Sequence, residues 1–205
     1  MRDKLLGTFD SNIHIEELRS YYSKVVTDYQ HLKWSFDIGG NDIIDLWRNR
    51  MLAEPSTLLP YGWAIQSNIE DLSKPCPPYN ITSHRRIGYR NTELVFGPII
   101  KLQESYPNAY RYSISVLPPN GKVTLHSDQE DELTIWIPIY SNNEASITFV
   151  EDDIEYPIIC NDPGLGYIFD TTIPHYTINN GNSDRVAIIY RFNKKFLHEF
   201  SIHPN

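Results

Sequence analysis

From Tyr110 to Phe192 the chain keeps a rhythm of short β-type runs broken by turn residues, and that rhythm restricts what it can become. The runs are YRYSISVLP, KVTLHS, LTIWIPIY, ASITFV, EYPIIC, GYIFD, HYTIN and RVAIIYRF. Between them stand PPNG, SNNE, EDD, NDPG and NNGNSD, whose Gly, Pro, Asn and Asp suit tight turns. Eight short strands of this kind suggest a jelly roll or a small antiparallel barrel.

The first half reads differently. IHIEELRSYYSKVVTDYQHL spaces Ile15, Leu18, Tyr22, Val25 and Val26 three and four apart, as an amphipathic helix does. Asp10, Ser11 and Asn12 stand before it as cap-type residues. A shorter helix fits NDIIDLWRNRML, and a third helix or turn fits GPIIKLQESYPN. Residues 55–95 are rich in proline, aromatics and arginine without a period, so long loops with one or two short strands are expected there. No internal repeat or flexible linker interrupts the chain. The expectation is a mainly β, α+β protein: a double-stranded β-helix (jelly roll, cupin-like) buttressed by helices. One domain spans 1–205, with a helical and loop part at 1–105 and the jelly-roll core at 106–205.

A chain of 205 residues is long enough to bury a substantial core, and 40% hydrophobic with 21% charged residues is ordinary for a folded domain. Its formal net charge of −8 argues against a nucleic-acid partner, since phosphate binding needs a basic face. Cys76 and Cys160 form no CxxC pair, so neither a zinc ribbon nor a disulfide scaffold is indicated. The N-terminus lacks the apolar core of a signal peptide, and no apolar run reaches the length of a membrane span. A soluble, cytoplasmic protein is the expectation.

The chemistry-bearing residues sit inside the β half. In TLHSDQEDELTIWIPI, His126 and Asp128 are two apart, so in an extended segment they point to one face. A second histidine, His175, lies in IFDTTIPHYTINNGNSDRVAIIYRF near the start of another expected strand. Two imidazoles and one carboxylate form the facial ligand set of non-haem iron(II) enzymes, which leaves open positions at the metal. Ten residues after His175 comes Arg185, also at a strand start, where a guanidinium could hold a carboxylate by a bidentate pair.

The order HxD, distal His, then Arg ten residues on resembles the iron(II)/2-oxoglutarate-dependent dioxygenases. The segment IFDTTIPH with its following Arg is most similar to their aspartyl/asparaginyl β-hydroxylase-like branch. The likeness covers about Tyr110 to Phe192, roughly half the chain. It implies that His126, Asp128 and His175 bind iron(II), and that Arg185 pairs with the distal carboxylate of 2-oxoglutarate. It further implies that Ser115, on the strand before HxD, contacts that cosubstrate, and Trp136 would wall the pocket if its parity faces inward. Where some β-hydroxylases carry basic residues after HxD, this chain has Thr134 and Trp136. The implied reaction consumes O2, releases succinate and carbon dioxide, and hydroxylates a C–H bond of an amino acid, small metabolite or peptide residue. Halogenation is disfavoured, because Asp128 occupies the place a halide would need.

Each residue alone has an ordinary reading. His126 and Asp128 could be a surface pair on an edge strand, His175 a turn histidine, and Arg185 a solvated strand start. Four such coincidences in order and spacing are harder to sustain. A cupin-type metal enzyme without 2-oxoglutarate is the alternative, against which Arg185 speaks; a non-catalytic jelly-roll binding protein is a third. HRRIGYRN offers Arg85, Arg86 and Arg90 as a loop gripping an anionic substrate, or simply as a solvated face. Asp170 reads as a hydrogen-bonding turn residue, and His14, His31, His84, His198 and His203 lack ligand spacing. No phosphate loop, nucleophile elbow or HExxH motif occurs.

Overall fold

The structure, a computed structural model, describes residues 4–35, 60–68, 89–128 and 131–203. The expected NDIIDLWRNRML helix lies outside them. The chain opens on β1 (Leu5–Asp10), α1 (Ile15–Asp28) and β2 (Lys33–Ser35). It resumes with β3 (Tyr61–Ala64), β4 (Gln66–Asn68), β5 (Tyr89–Asn91) and α2 (Pro98–Ser105). Then follow β6 (Tyr110–Leu117), β7 (Lys122–His126), β8 (Glu132–Tyr140), β9 (Ala145–Glu151) and β10 (Ile154–Ile159). The series ends with β11 (Leu165–Phe169), β12 (His175–Asn179) and β13 (Arg185–Asn193). Each of the eight runs read from the sequence is one of β6 to β13.

Two antiparallel sheets face each other. The major one runs β1-β11-β8-β13-β6-β3-β2 and the minor one β10-β9-β12-β7, while β4 and β5 form a separate ribbon. This is the expected jelly roll, with one correction to its limits. Strands β1 and β2 extend the major sheet from a segment read as helix and loop, and β3 joins it from 55–95, where one or two short strands are expected. The opening strand was hidden because Leu5–Asp10 is a short edge strand carrying a glycine. Gly7 has φ +149°, and a Cβ there would come within 2.3 Å of an Ile202 side-chain carbon and 2.8 Å of the His203 carbonyl oxygen, so only glycine fits.

That strand also displaces the expected helix cap. Asp10 ends β1 and accepts the Asn12 backbone N–H at 2.8 Å, while Ser11 donates to the Gly164 carbonyl at 2.6 Å. The cap is His14, whose Nδ1 accepts from the Glu16 N–H at 3.3 Å. Leu18, Tyr21 and Val25 of α1 are buried, and Ile15, Tyr22 and Val26 pack beside them.

Three central strands are apolar on one face and functional on the other. Tyr112, Ile114 and Val116 of β6, Leu133, Ile135, Ile137 and Ile139 of β8, and Val186, Ile188, Tyr190 and Phe192 of β13 join one core cluster with α1 and α2. Their alternate neighbours face the minor sheet: Arg111, Ser113 and Ser115, then Thr134 and Trp136, then Arg185, Ile189 and Arg191. Burial of each large apolar side chain is worth about 1.5–3 kcal/mol, so the helix-facing rows fix the register. Fixing it aims the polar rows inward. Between the sheets, Trp136, Ile147, Phe149, Cys160, Tyr167, Phe169 and Ile173 make a smaller apolar cluster beside the cavity.

Candidate active site

His126 closes β7 and His175 opens β12, and the two are direct partners across that antiparallel pair. Their ring centroids are 4.3 Å apart. Asp128 follows two residues beyond β7, where its backbone N–H donates to the Thr171 carbonyl at 2.8 Å. One side-chain donor atom from each of His126, Asp128 and His175 lies within 4.8 Å of the other two. The structure thus brings together the three residues that the sequence pattern selected.

Both imidazoles are oriented by the backbone. Nδ1 of His126 lies 2.7 Å from the Thr124 carbonyl, and Nδ1 of His175 lies 2.9 Å from the Ile173 carbonyl. A carbonyl only accepts, so each Nδ1 carries the proton and each Nε2 keeps a lone pair. That is the usual preparation of a metal-binding histidine. Burial lowers the pKa of both rings; that of His175 falls to about 4, with the neighbouring His126 charge adding to the effect. Neutral imidazoles at neutral pH follow. Burial pushes the Asp128 carboxyl up, but the Arg191 charge and hydrogen bond, aided by both histidines, outweigh it and hold the group well below the usual carboxylate range. Two neutral nitrogens and one carboxylate suit a divalent cation, so the residues fit the implied metal.

Arg191 is the residue the sequence reading missed. It pairs with the Asp128 carboxylate and donates to Thr134 Oγ1 and, at 3.2 Å, to Thr171 Oγ1. Arg191 is the register partner of Thr134 across β13 and β8. A basic group therefore does meet the strand after HxD, but it comes from the neighbouring strand. Nothing in YRF distinguished Arg191 from any strand residue; parity with Arg185 was the available signal.

Arg185, Ser115 and Trp136 line the same cavity as the triad. Arg185 is 4% exposed, and its Cζ lies 4.2 Å from the Trp136 ring centroid. Ser115 sits opposite Ala187, two residues along β13 from Arg185. The cavity measures about 590 Å³ with its open mouth included. Arg85 and Arg86 lie outside the described residues, and Arg90 is exposed on β5. Asp170 accepts from Thr172 Oγ1 at 2.5 Å and from Lys194 at 3.0 Å, as a turn residue rather than a ligand.

The family model of the aspartyl/asparaginyl beta-hydroxylases matches residues 16–195. The chain belongs to this family. It is an enzyme of the 2-oxoglutarate-dependent hydroxylase class. No curated protein matches this hydroxylase in sequence. Among solved structures it is similar to the non-heme alpha-ketoglutarate-dependent epimerase SnoN from nogalamycin biosynthesis, at 8% identity and a TM-score of 0.55. That likeness covers 93% of this chain and 78% of SnoN. It is also similar to AviO1 from Streptomyces viridochromogenes Tue57, at 12% identity and a TM-score of 0.51, over 99% of this chain and 93% of that one. At such identities these two attest the fold. No helix among the described residues is long and apolar enough to cross a membrane.

Proposed function

We propose that His126, Asp128 and His175 hold iron(II), and that Arg185, with Ser115 and Trp136, holds the distal carboxylate of 2-oxoglutarate. The hydroxylase then acts on a C–H bond of an amino acid, a small metabolite or a peptide residue. The observation that carries this reading is the convergence of three donors with both Nδ1 protons committed to backbone carbonyls. When bound, iron and cosubstrate with O2 supply oxidation of an unactivated C–H bond, with succinate and carbon dioxide as coproducts.

The chain's own residues bind, orient and exclude water. Arg185 is an always-charged fork suited to a carboxylate, and the Trp136 face limits where its guanidinium can lie. Ser115 offers a hydroxyl two residues along the strand pair from it. Ile147, Ile189 and Val123 supply apolar wall to the cavity, which lowers the local dielectric around the charged groups. Arg191 keeps Asp128 ionised and engages its Oδ2.

The test is an anaerobic titration of metal-free protein with iron(II) and then 2-oxoglutarate. The readout is the weak visible charge-transfer band of a chelated keto acid. The expected result is a saturable band that disappears in His126→Ala. Arg185→Ala should spare iron binding and weaken 2-oxoglutarate. Iron binding without a band would favour a cupin-type metal enzyme instead, and no iron binding would reject the metal site.

A further inference from the structure

The cavity has a second basic end that cosubstrate binding does not use. Arg111 lies on the inward row of β6 with Ser113 and Ser115, and it lines the cavity together with the triad. Its side chain is 11% exposed. Its φ is +58°, a left-handed conformation that asparagine and glycine adopt readily and arginine seldom does. The strand pairing explains this. Ile189 faces Ser113 and Arg191 faces Tyr110, so three steps along β6 match two along β13. Such a bulge beside an active site re-aims a side chain.

The charges point the same way. The described residues lining the cavity include three arginines and one carboxylate, in a chain whose net charge is −8. Arg191 is committed to Asp128. Arg185, on the reading above, takes the cosubstrate. The ionic neighbour of Arg111 among the described residues is Glu132, at 3.6 Å. That is longer than the roughly 2.7–2.9 Å of a charge-assisted hydrogen bond. Glu132 accepts the Tyr110 hydroxyl at 2.8 Å on its other carboxylate oxygen. The Arg111 fork therefore keeps donors for a ligand.

We propose that Arg111 anchors a carboxylate of the substrate, so that the hydroxylase selects carboxylate-bearing small molecules over their neutral analogues. The proposal rests on the assignment of Arg185 to 2-oxoglutarate. Arg185 is the register partner of Leu117, six residues along β6 from Arg111. At about 3.3 Å per residue the two backbones stand roughly 20 Å apart, so two anions need not compete for one guanidinium. A neutral amide in place of the carboxylate would leave the guanidinium donors, which Glu132 meets only at 3.6 Å, without a charged acceptor in a largely buried site, which is how such a site rejects it.

The experiment uses anaerobic protein loaded with iron(II) and 2-oxoglutarate. The probes are the twenty common L-amino acids and a set of short mono- and dicarboxylic acids, each against its primary amide. Binding is read as displacement of the charge-transfer band and by calorimetry. The expected binders are carboxylates, with amides at least roughly 30-fold weaker. Arg111→Asn is the chosen variant because asparagine tolerates the left-handed backbone. It should still fold and form the band, yet lose the carboxylates by a similar factor. Amides that bind equally well, an Arg111→Asn variant with unchanged affinity, or a panel without a binder at roughly 10 mM each overturn the proposal. Arg111-dependent carboxylate binding without any band would retire the cosubstrate reading and leave this site standing; loss of both would retire both.

Discussion

Arg191 donates to Oδ2 of Asp128 from a strand 63 residues further along the chain, and a cation held by the triad would draw on the same carboxylate. Both side chains are largely enclosed, at 9% and 17% exposure. Removing one partner of an enclosed ion pair leaves the other uncompensated, at a cost of about 3–5 kcal/mol. In Arg191→Met the metal-free protein should lose roughly that much stability, while a bound cation would take over as the counter-charge of Asp128. Thermodynamic linkage then requires the variant to bind metal more tightly, not more weakly. Melting with and without manganese(II), together with chelator competition, measures both sides of the cycle. Equal losses in the two forms would mean instead that Arg191 stays on the carboxylate when metal is bound and merely positions it.

Acid should unfold the metal-free protein earlier than an ordinary domain of this size. The His175 pKa is lowered to about 4, first by burial and then by the adjacent His126, whereas an unfolded histidine titrates near 6.5. Between those values the unfolded chain binds the extra proton, so stability is full above about pH 6.5 and falls as the pH drops to about 4. His175 alone contributes roughly 3 kcal/mol over that window, and His126 acts with the same sign. Asp128, held low by Arg191, adds its loss only below the ordinary carboxylate range. Urea midpoints at pH 7, 5.5 and 4.5 should decline steadily for the wild type, and the decline should shrink in His175→Gln. An unchanged slope in that variant would remove His175 as the cause.

What the sequence made legible follows from which signals are local. β6 to β13 announce themselves because apolar and polar residues alternate between turn residues, and the same alternation puts Ser115, Trp136 and Arg185 on one face. His126, Asp128 and His175 could be picked because histidine is scarce and their order restrictive. Arg191 and Arg111 could not, since their meaning lies in register. Arg191 matters because β13 sets it opposite Thr134 and within reach of Asp128, and Arg111 because a bulge against β13 gives it φ +58°. Cross-strand pairing is a non-local fact that one strand's residues do not encode. β1 was lost for a related reason, being an edge strand held by its pairing with β11 and by the Thr8–His203 bridge rather than by its own pattern.

Tyr190 should be better off without its hydroxyl. Its ring stacks on Tyr112 at 4.6 Å and 18°, deep in the helix-facing core. Both hydroxyl oxygens are buried without a hydrogen-bond partner among the described residues. An unsatisfied buried hydroxyl costs about 1–3 kcal/mol, whereas the stacking survives in phenylalanine. Tyr190→Phe is therefore expected to gain roughly 1 kcal/mol, a rise of about 2–4 °C in Tm for a chain of this length. Differential scanning calorimetry decides it, and a drop of similar size would show that the hydroxyl is satisfied after all.

If Arg185 holds 2-oxoglutarate as proposed, its contact with Trp136 makes cosubstrate affinity depend on the indole that orients the guanidinium. The guanidinium carbon lies 4.2 Å from the indole centroid, and both side chains are buried. A desolvated cation–π contact is worth about 2 kcal/mol and confines the arginine to one orientation before any carboxylate arrives. In Trp136→Leu the fork keeps its charge but loses that orientation and must be ordered by the ligand itself. The dissociation constant for 2-oxoglutarate should rise about 10- to 30-fold, while manganese(II) affinity, assigned by the proposal to His126, Asp128 and His175, stays as it was. Trp136→Phe, which keeps an aromatic face, should recover most of the difference. Calorimetry on the three proteins separates the cases: if Leu and Phe behave alike, the ring contributes volume and not orientation, and the role assigned to Trp136 is wrong.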